Sequence, residues 1–185
     1  FANALLQSSG KSVETMQAKL NKGKRAKPLM VKADVVFHVE QKRERLEAKN
    51  VMAFVEGNDP LLKNEVVVVS AHYDHIGIVN GQINNGADDD ASGTSATMEI
   101  AEAFQLAKME GHGPKRSVLI LHVSGEEKGL LGSEWYSDHP IFPLENTVCD
   151  LNVDMVGRKD EDHQDGRYVY LIGSDKLSTE LHQIS

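Results

Sequence analysis

Three apolar, β-branched runs of this chain each end in a burst of side chains suited to metal ions. Residues 66–71 run into His72-Tyr73-Asp74-His75, residues 117–123 run towards Gly125-Glu126-Glu127, and residues 147–153 end at Asp154. Between the first two lies Gly86-Ala87-Asp88-Asp89-Asp90-Ala91-Ser92-Gly93, an acidic cluster placed to open a helix. Open α/β sheets bind ligands outside the carboxyl ends of their strands. Four such clusters at strand ends or helix starts therefore predict one shared site. His, Asp and Glu without Cys form the donor set of a hydrolytic zinc site rather than a structural one.

The elements between these clusters support the same architecture. Residues 1–23 read as surface helix, with Ser12 capping a segment that Gly23 stops. Residues 22–28 form a basic turn. Residues 29–40 alternate, with Val31, Ala33, Val35, Phe37 and Val39 on one face, which predicts a half-buried strand. Residues 41–50 are a charged connector. Residues 50–56 predict a strand with Val51, Ala53 and Val55 on one face. Residues 66–71 are apolar on both faces, as a central strand is. Residues 76–85 read as a Gly/Asn loop. Asp90 or Ser92 caps the next helix, whose buried stripe is Thr97, Ile100, Ala101, Phe104 and Ala107. Residues 111–114 stop it. Strands over 117–123 and 147–153 flank a short helix within 128–138. A further strand is predicted over 167–172, and a helix from Asp175 to the end. Strands alternating with helices give an α/β sandwich.

Charge divides the chain. Residues 1–49 carry eleven Lys or Arg against five Asp or Glu, whereas residues 50–185 carry nine against twenty-three. This asymmetry predicts two units, an accessory segment over 1–48 and a catalytic segment over 49–185. The net charge of −8 argues against a general nucleic-acid partner. No apolar run approaches the ~20 residues a membrane helix needs. The single Cys149 makes no internal disulfide and reads as a small buried hydrophobe.

Each cluster suggests a division of labour. His72 and Asp74 are two apart, so in a continuing strand they face one side. His72 is then a metal ligand, with Asp74 behind it orienting a ring or a neighbour. His75 faces the other way and reads as a loop residue lining the cleft. Asp90 suits a helix N-terminus, where acids are favoured. Asp89 suits a carboxylate shared by two cations, because both of its oxygens are usable. Of the adjacent Glu126 and Glu127, one can bind metal while the other reaches a water as general base. Asp154 is preferred to Asp150 as a ligand because it lies nearer the strand end.

These segments, together with Gly129-Leu130-Leu131-Gly132-Ser133 and Asn152-Val153-Asp154-Met155, resemble the co-catalytic di-zinc aminopeptidase family over about residues 50–173. Its wider kin include glutamate carboxypeptidases, glutaminyl cyclases and the transferrin receptor. The resemblance implies a three-layer α/β sandwich with a mixed, mostly parallel sheet, truncated at its C-terminus. It implies two Zn2+ ions, with Asp89 bridging, His72 and Asp154 on one zinc, Glu127 on the other, Glu126 as general base and Asp74 supporting His72. It also implies a cis peptide at Asp89–Asp90, peptide or protein N-termini as substrate, and an extracellular or periplasmic location. The family's last ligand to the second zinc is a histidine further along the chain, so this chain is expected to carry one full and one partial ligand set. Residues 1–48 resemble the tail of a protease-associated insert domain. The cluster reads Gly-Ala-Asp-Asp-Asp rather than the Gly-Ala-Thr-Asp-Ser type of glutaminyl cyclases, which favours a peptidase over a cyclase. A non-catalytic scaffold of the same fold is the other alternative, and intact ligand positions with Glu126 weigh against it.

Overall fold

The computed structural model describes residues 1–23, 25–43, 45–163 and 167–185. Position 24 of the basic turn, position 44 of the connector and residues 164–166 lie outside the described residues. The chain divides into two compact units, Phe1–Arg45 and Leu46–Ser185.

The first unit is helical at its start. Helix α1 spans Ala2–Leu6 and α2 spans Val13–Asn21. Ser12 and Thr15 form a reciprocal capping box at the start of α2, which satisfies two otherwise orphaned donors. Gly23, at a φ of 73°, follows its end as expected. The strand predicted over 29–40 does not form; this stretch has no regular structure, and Met30, Val36 and Val39 are exposed. Alternation offers a face, but a strand also needs a neighbour to accept its backbone hydrogen bonds. None of the described residues in this unit supplies one.

The second unit is built on a four-stranded sheet. Its strands are β1 (Val51–Val55), β2 (Val66–His72), β5 (Ser117–Val123) and β6 (Thr147–Asn152), in the order β1-β5-β2-β6. Strands β5, β2 and β6 are parallel, and β1 is antiparallel to β5. Residues 76–85 were expected to be a loop, but β3 (Gly77–Val79) and β4 (Gln82–Asn84) form an antiparallel hairpin. Its turn is Asn80-Gly81, with φ of 51° and 78°. Positive φ at both positions matches the right-handed twist of a hairpin, and Asn-Gly is its strongest short-range signal.

Helices cover both faces of the sheet. Helix α3 spans Ala91–Met109 and α4 spans Leu131–Asp138. Ile100, Ala101 and Phe104 of α3 pack on Val69, Val118 and Ile120, and Thr97 of the same stripe is fully buried. On the other face Tyr136 of α4 joins Val66, Val68, Leu119, Leu121 and Val123. The alternation of strand side chains thus feeds two cores, giving three layers. Leu119 alone, fully buried, contributes ~1.5–3 kcal/mol by leaving water. The fold is the α/β sandwich that the sequence predicts, with the mixed, mostly parallel sheet that the resemblance implies.

The C-terminal stretch differs in part. Residues 167–172 do not form the predicted strand. Here Tyr168 and Tyr170 bond instead to Asp160: the Asp160 N–H donates to the Tyr168 hydroxyl, and the Tyr170 hydroxyl donates to the Asp160 carboxylate. Helices α5 (Ser174–Leu177) and α6 (Thr179–Ile184) follow, as expected for the end of the chain. Among the described residues no helix is long and apolar enough to cross a membrane.

Gly93 lets the first turn of α3 lie against the end of the sheet. A Cβ there would sit 2.2 Å from the Val153 carbonyl oxygen and 2.4 Å from Asp90 Oδ1. Helix propensity alone favours alanine at such a position by ~1 kcal/mol. Overpacking against backbone costs ~1–3 kcal/mol and wins. Gly93→Ala is therefore expected to lower the urea midpoint of unfolding; a raised midpoint would show that the contact yields.

Candidate metal centre

The parallel strands end level with one another. His72 is paired with Val123, and Ser70 with Asn152. Beyond these pairs the Tyr73 N–H donates to Val123 and the Val153 N–H donates to Ser70. The segments that follow the three strands are therefore delivered to one edge, where α3 also begins.

The three consecutive aspartates meet different neighbours there. Asp88 accepts from the Gly157 N–H (2.8 Å) and from Arg158 Nε (3.0 Å), pinning the loop after β6. Those bonds, the arginine first, hold its carboxyl below the ordinary carboxylate range. Asp90 is 1% exposed. It accepts from the N–H groups of Gly93 (2.9 Å), His72 (3.2 Å) and Met155 (3.3 Å). One carboxylate thus caps α3 and ties it to the ends of β2 and β6. Burial pushes the Asp90 pKa up, and these donors pull against it. Asp89 is left facing the cleft. The Asp89–Asp90 peptide is cis, as the resemblance implies.

Two histidines approach opposite oxygens of Asp89. His72, with its side chain 2% exposed, holds Nε2 at 2.9 Å from Asp89 Oδ1 and 3.9 Å from Asp154 Oδ2. Its Nδ1 lies 3.0 Å from the Asp74 carbonyl oxygen. A carbonyl only accepts, so this bond places the proton of the neutral ring on Nδ1 and leaves the Nε2 lone pair for a ligand. His75 Nδ1 lies 2.7 Å from Glu127 Oε1 and 4.0 Å from Asp89 Oδ2. The donor atoms of His75, Asp89 and Glu127 all fall within 4.8 Å of one another, as do those of His72, Asp90 and Asp154. In the second trio both Asp90 oxygens are engaged by backbone N–H groups, so Asp89 is the better donor towards His72.

The donor set fits divalent cations. His72 Nε2, His75 Nδ1 and Glu127 Oε1 are buried and have no hydrogen-bond partner among the described residues. Their short approaches to carboxylate oxygens lack hydrogen-bond alignment. Each buried orphan costs ~1–3 kcal/mol, and cations between the histidines and carboxylates would satisfy all three.

The remaining candidates flank this pair. Asp74 is close to His72 chiefly through its carbonyl; its carboxylate is 3.7 Å from Nδ1 and accepts from the Glu126 N–H at 3.1 Å. Glu126 opens the short 3-10 turn Glu126–Lys128 after Gly125. With His72, Asp150 and Asp154 it lines a cavity of about 200 Å3. Burial raises the Glu126 pKa, His72 pulls it back, and Glu127, Asp154 and Asp89 push it up again. Asp150, the rival to Asp154, accepts from the Ser70 hydroxyl at 2.9 Å and belongs to neither trio. Burial disfavours the charged form of His72, but the carboxylates of Asp90, Asp154 and Glu126 outweigh it and keep the pKa above its ordinary value.

Sequence reasoning placed His75 in a loop lining the cleft, but foresaw neither its approach to Asp89 and Glu127 nor the clamp made by Asp88. Strand alternation was carried past His72, where β2 ends, so it could not say where His75 points. The available signal was Gly86: a Cβ there would meet His75 Cβ at 2.8 Å, so only glycine leaves room for that side chain.

A family model described as Peptidase family M28 matches residues 50–179, and the chain belongs to that family. It is 39% identical over 112 residues to a probable zinc metalloprotease of Pyrenophora teres f. teres, a match covering 58% of this chain and 22% of that protein. It is 29% identical over 133 residues to a probable glutamate carboxypeptidase of Arabidopsis thaliana, covering 71% of this chain and 17% of that protein. Among solved structures it is similar to BSAP, a zinc aminopeptidase from Bacillus subtilis, at 31% identity and a TM-score of 0.46, covering 58% of this chain and 24% of that one. The chain thus spans about a fifth of the length of these relatives.

Asp90 is the acceptor on which the site's framework rests. Asp90→Ala would orphan three N–H groups, and at ~1–3 kcal/mol each it is expected to cost at least ~3 kcal/mol, read as a lower denaturant midpoint. An unchanged midpoint would show that water replaces the carboxylate without loss.

Proposed function

We propose that this chain carries the catalytic centre of a two-zinc exopeptidase that removes residues from the N-terminus of peptides. The observation that carries the reading is the Asp89 carboxylate, with Oδ1 2.9 Å from His72 Nε2, itself 3.9 Å from Asp154, and with Oδ2 on the side of His75, in a trio with Glu127. The zinc in the printed name of the Pyrenophora relative and the family resemblance support the choice of metal. An extracellular or periplasmic location goes with this reading on the resemblance alone.

In this reading His72, Asp89 and Asp154 hold one ion, and Asp89 and Glu127 take part in holding the other. A pair of such ions supplies Lewis-acid polarisation of a carbonyl and acidifies a water at neutral pH. Glu126 takes the proton of the attacking water at its carboxylate and passes it to the departing amine. Its raised pKa suits both steps, because a base whose pKa lies nearer neutrality both accepts and returns a proton readily. Asp74 fixes the Glu126 backbone through the 3.1 Å bond to its N–H, and its carbonyl fixes the His72 tautomer. The carboxylates of Glu126, Glu127 and Asp154 give the cleft an acidic rim that attracts a protonated α-amine.

Glu126→Gln in the whole protein is expected to lower kcat by ~10²–10⁴-fold, the usual contribution of a general base, while zinc content stays unchanged. Retained turnover would remove Glu126 from the role. Peptides with a free amino terminus should be cleaved and their N-acetylated counterparts left intact. Equal cleavage of both would refute the N-terminal specificity.

A further inference from the structure

We infer that Thr94, on the first turn of α3, is a positioning residue for the metal ligand His72, and that Thr97 and His122 anchor it. The inference rests on the two-cation reading of the site and concerns three side chains that its chemistry leaves unused. His72 is the last residue of β2, where the regularity of the sheet stops fixing side-chain direction. Both of its backbone groups are taken by the start of α3. Its N–H donates to Asp90 Oδ2 at 3.2 Å, and its carbonyl accepts from the Thr94 hydroxyl at 2.8 Å. With Nδ1 against the Asp74 carbonyl, the residue is held at three points while Nε2 stays directed at Asp89. Thr94 is itself held. The Thr97 hydroxyl donates to the Thr94 carbonyl at 2.9 Å, and its oxygen lies 2.7 Å from His122 Nε2. A hydroxyl has one proton to give, so the Thr97 oxygen accepts from His122, whose ring proton sits on Nε2. Thr97 is fully buried, and His122 belongs to β5, the strand that leads into Glu126 and Glu127. The bonds thus run from β5 through α3 to the end of β2 and set His72 relative to the two glutamates. A helical threonine commonly returns its hydroxyl to a carbonyl of the preceding turn, and Thr97 does so. Thr94 instead gives its hydroxyl to the sheet, at the one residue of β2 whose ring serves the metal.

The Zn2+ affinity of the whole protein, read by competition with a chelator, tests the inference without reference to turnover. Thr94→Val keeps the shape of the side chain and removes the hydroxyl. It is expected to weaken the uptake of one zinc ion by at least ~10-fold, the lower end of what an outer partner of a metal ligand contributes. Thr94→Ser returns the hydroxyl and is expected to restore most of that affinity. A threonine with a merely structural role would lower the urea midpoint of unfolding in the valine variant and leave the zinc affinity of the folded protein unchanged. If Thr94→Val fails to fold, Thr97→Val decides: it removes the anchor, keeps the Thr94 hydroxyl, and is expected to weaken zinc in the same direction. A smaller loss in Thr94→Val, a serine variant as weak as the valine one, or an unchanged affinity where Thr97→Val decides overturns the inference and leaves the two-metal reading standing. A wild-type protein that takes up no zinc overturns that reading and the inference with it.

Discussion

The Asp90 carboxylate is the junction on which the rest of this structure depends. It accepts one N–H from the start of α3, one from the end of β2 and one from the loop after β6. Three separate pieces of chain, drawn from far apart in sequence, are thereby brought to one point at the carboxyl edge of the sheet. A buried carboxylate is costly unless its lone pairs are filled, and here backbone donors fill them. The neighbouring residue, Asp89, is left to face the cleft, with Oδ1 2.9 Å from His72 Nε2. Its freedom to face two histidines follows from the engagement of Asp88 and Asp90 on either side.

The electrostatics of the cleft follow from that placement. Burial and mutual repulsion raise the pKa values of Glu126 and Asp154, while surrounding carboxylates keep His72 above its ordinary value. A cluster this acidic opposes its own assembly, and it does so with buried nitrogen and oxygen atoms left without partners. Divalent cations held there would resolve both difficulties at once, by neutralising charge and by occupying the orphaned lone pairs. Ions bound there would also stabilise the folded state, since anything that binds only the folded chain does so.

Much of the sheet was legible because its two central strands, β2 and β5, are buried on both faces. Residues 66–71 and 117–123 are continuous apolar runs, and a run of that kind has few alternatives to a central parallel strand. The α3 stripe was legible for the same reason, since Thr97, Ile100 and Phe104 recur at helical spacing. The failures lie where periodicity was read without a partner. Residues 29–40 alternate and residues 167–172 were read as a strand, yet neither has a neighbouring strand among the described residues. The Asn80-Gly81 hairpin was missed because the stretch was read by composition rather than by the φ values that dipeptide favours.

By itself the sequence determined the central strands, the buried stripe of α3, and the order of His, Asp and Glu clusters at strand ends. These are local properties, set by hydrophobic period and by the position of polar residues relative to it. Only the tertiary structure decided which carboxylate does what. Asp88, Asp89 and Asp90 are chemically identical, and they differ only in the groups that surround them once α3 docks on the sheet. The same holds for His75, whose side chain is directed by the packing of Gly86 and not by any periodicity in its own segment. Side-chain direction beyond the end of a strand is a long-range property, because no repeating backbone geometry carries it past the last paired residue.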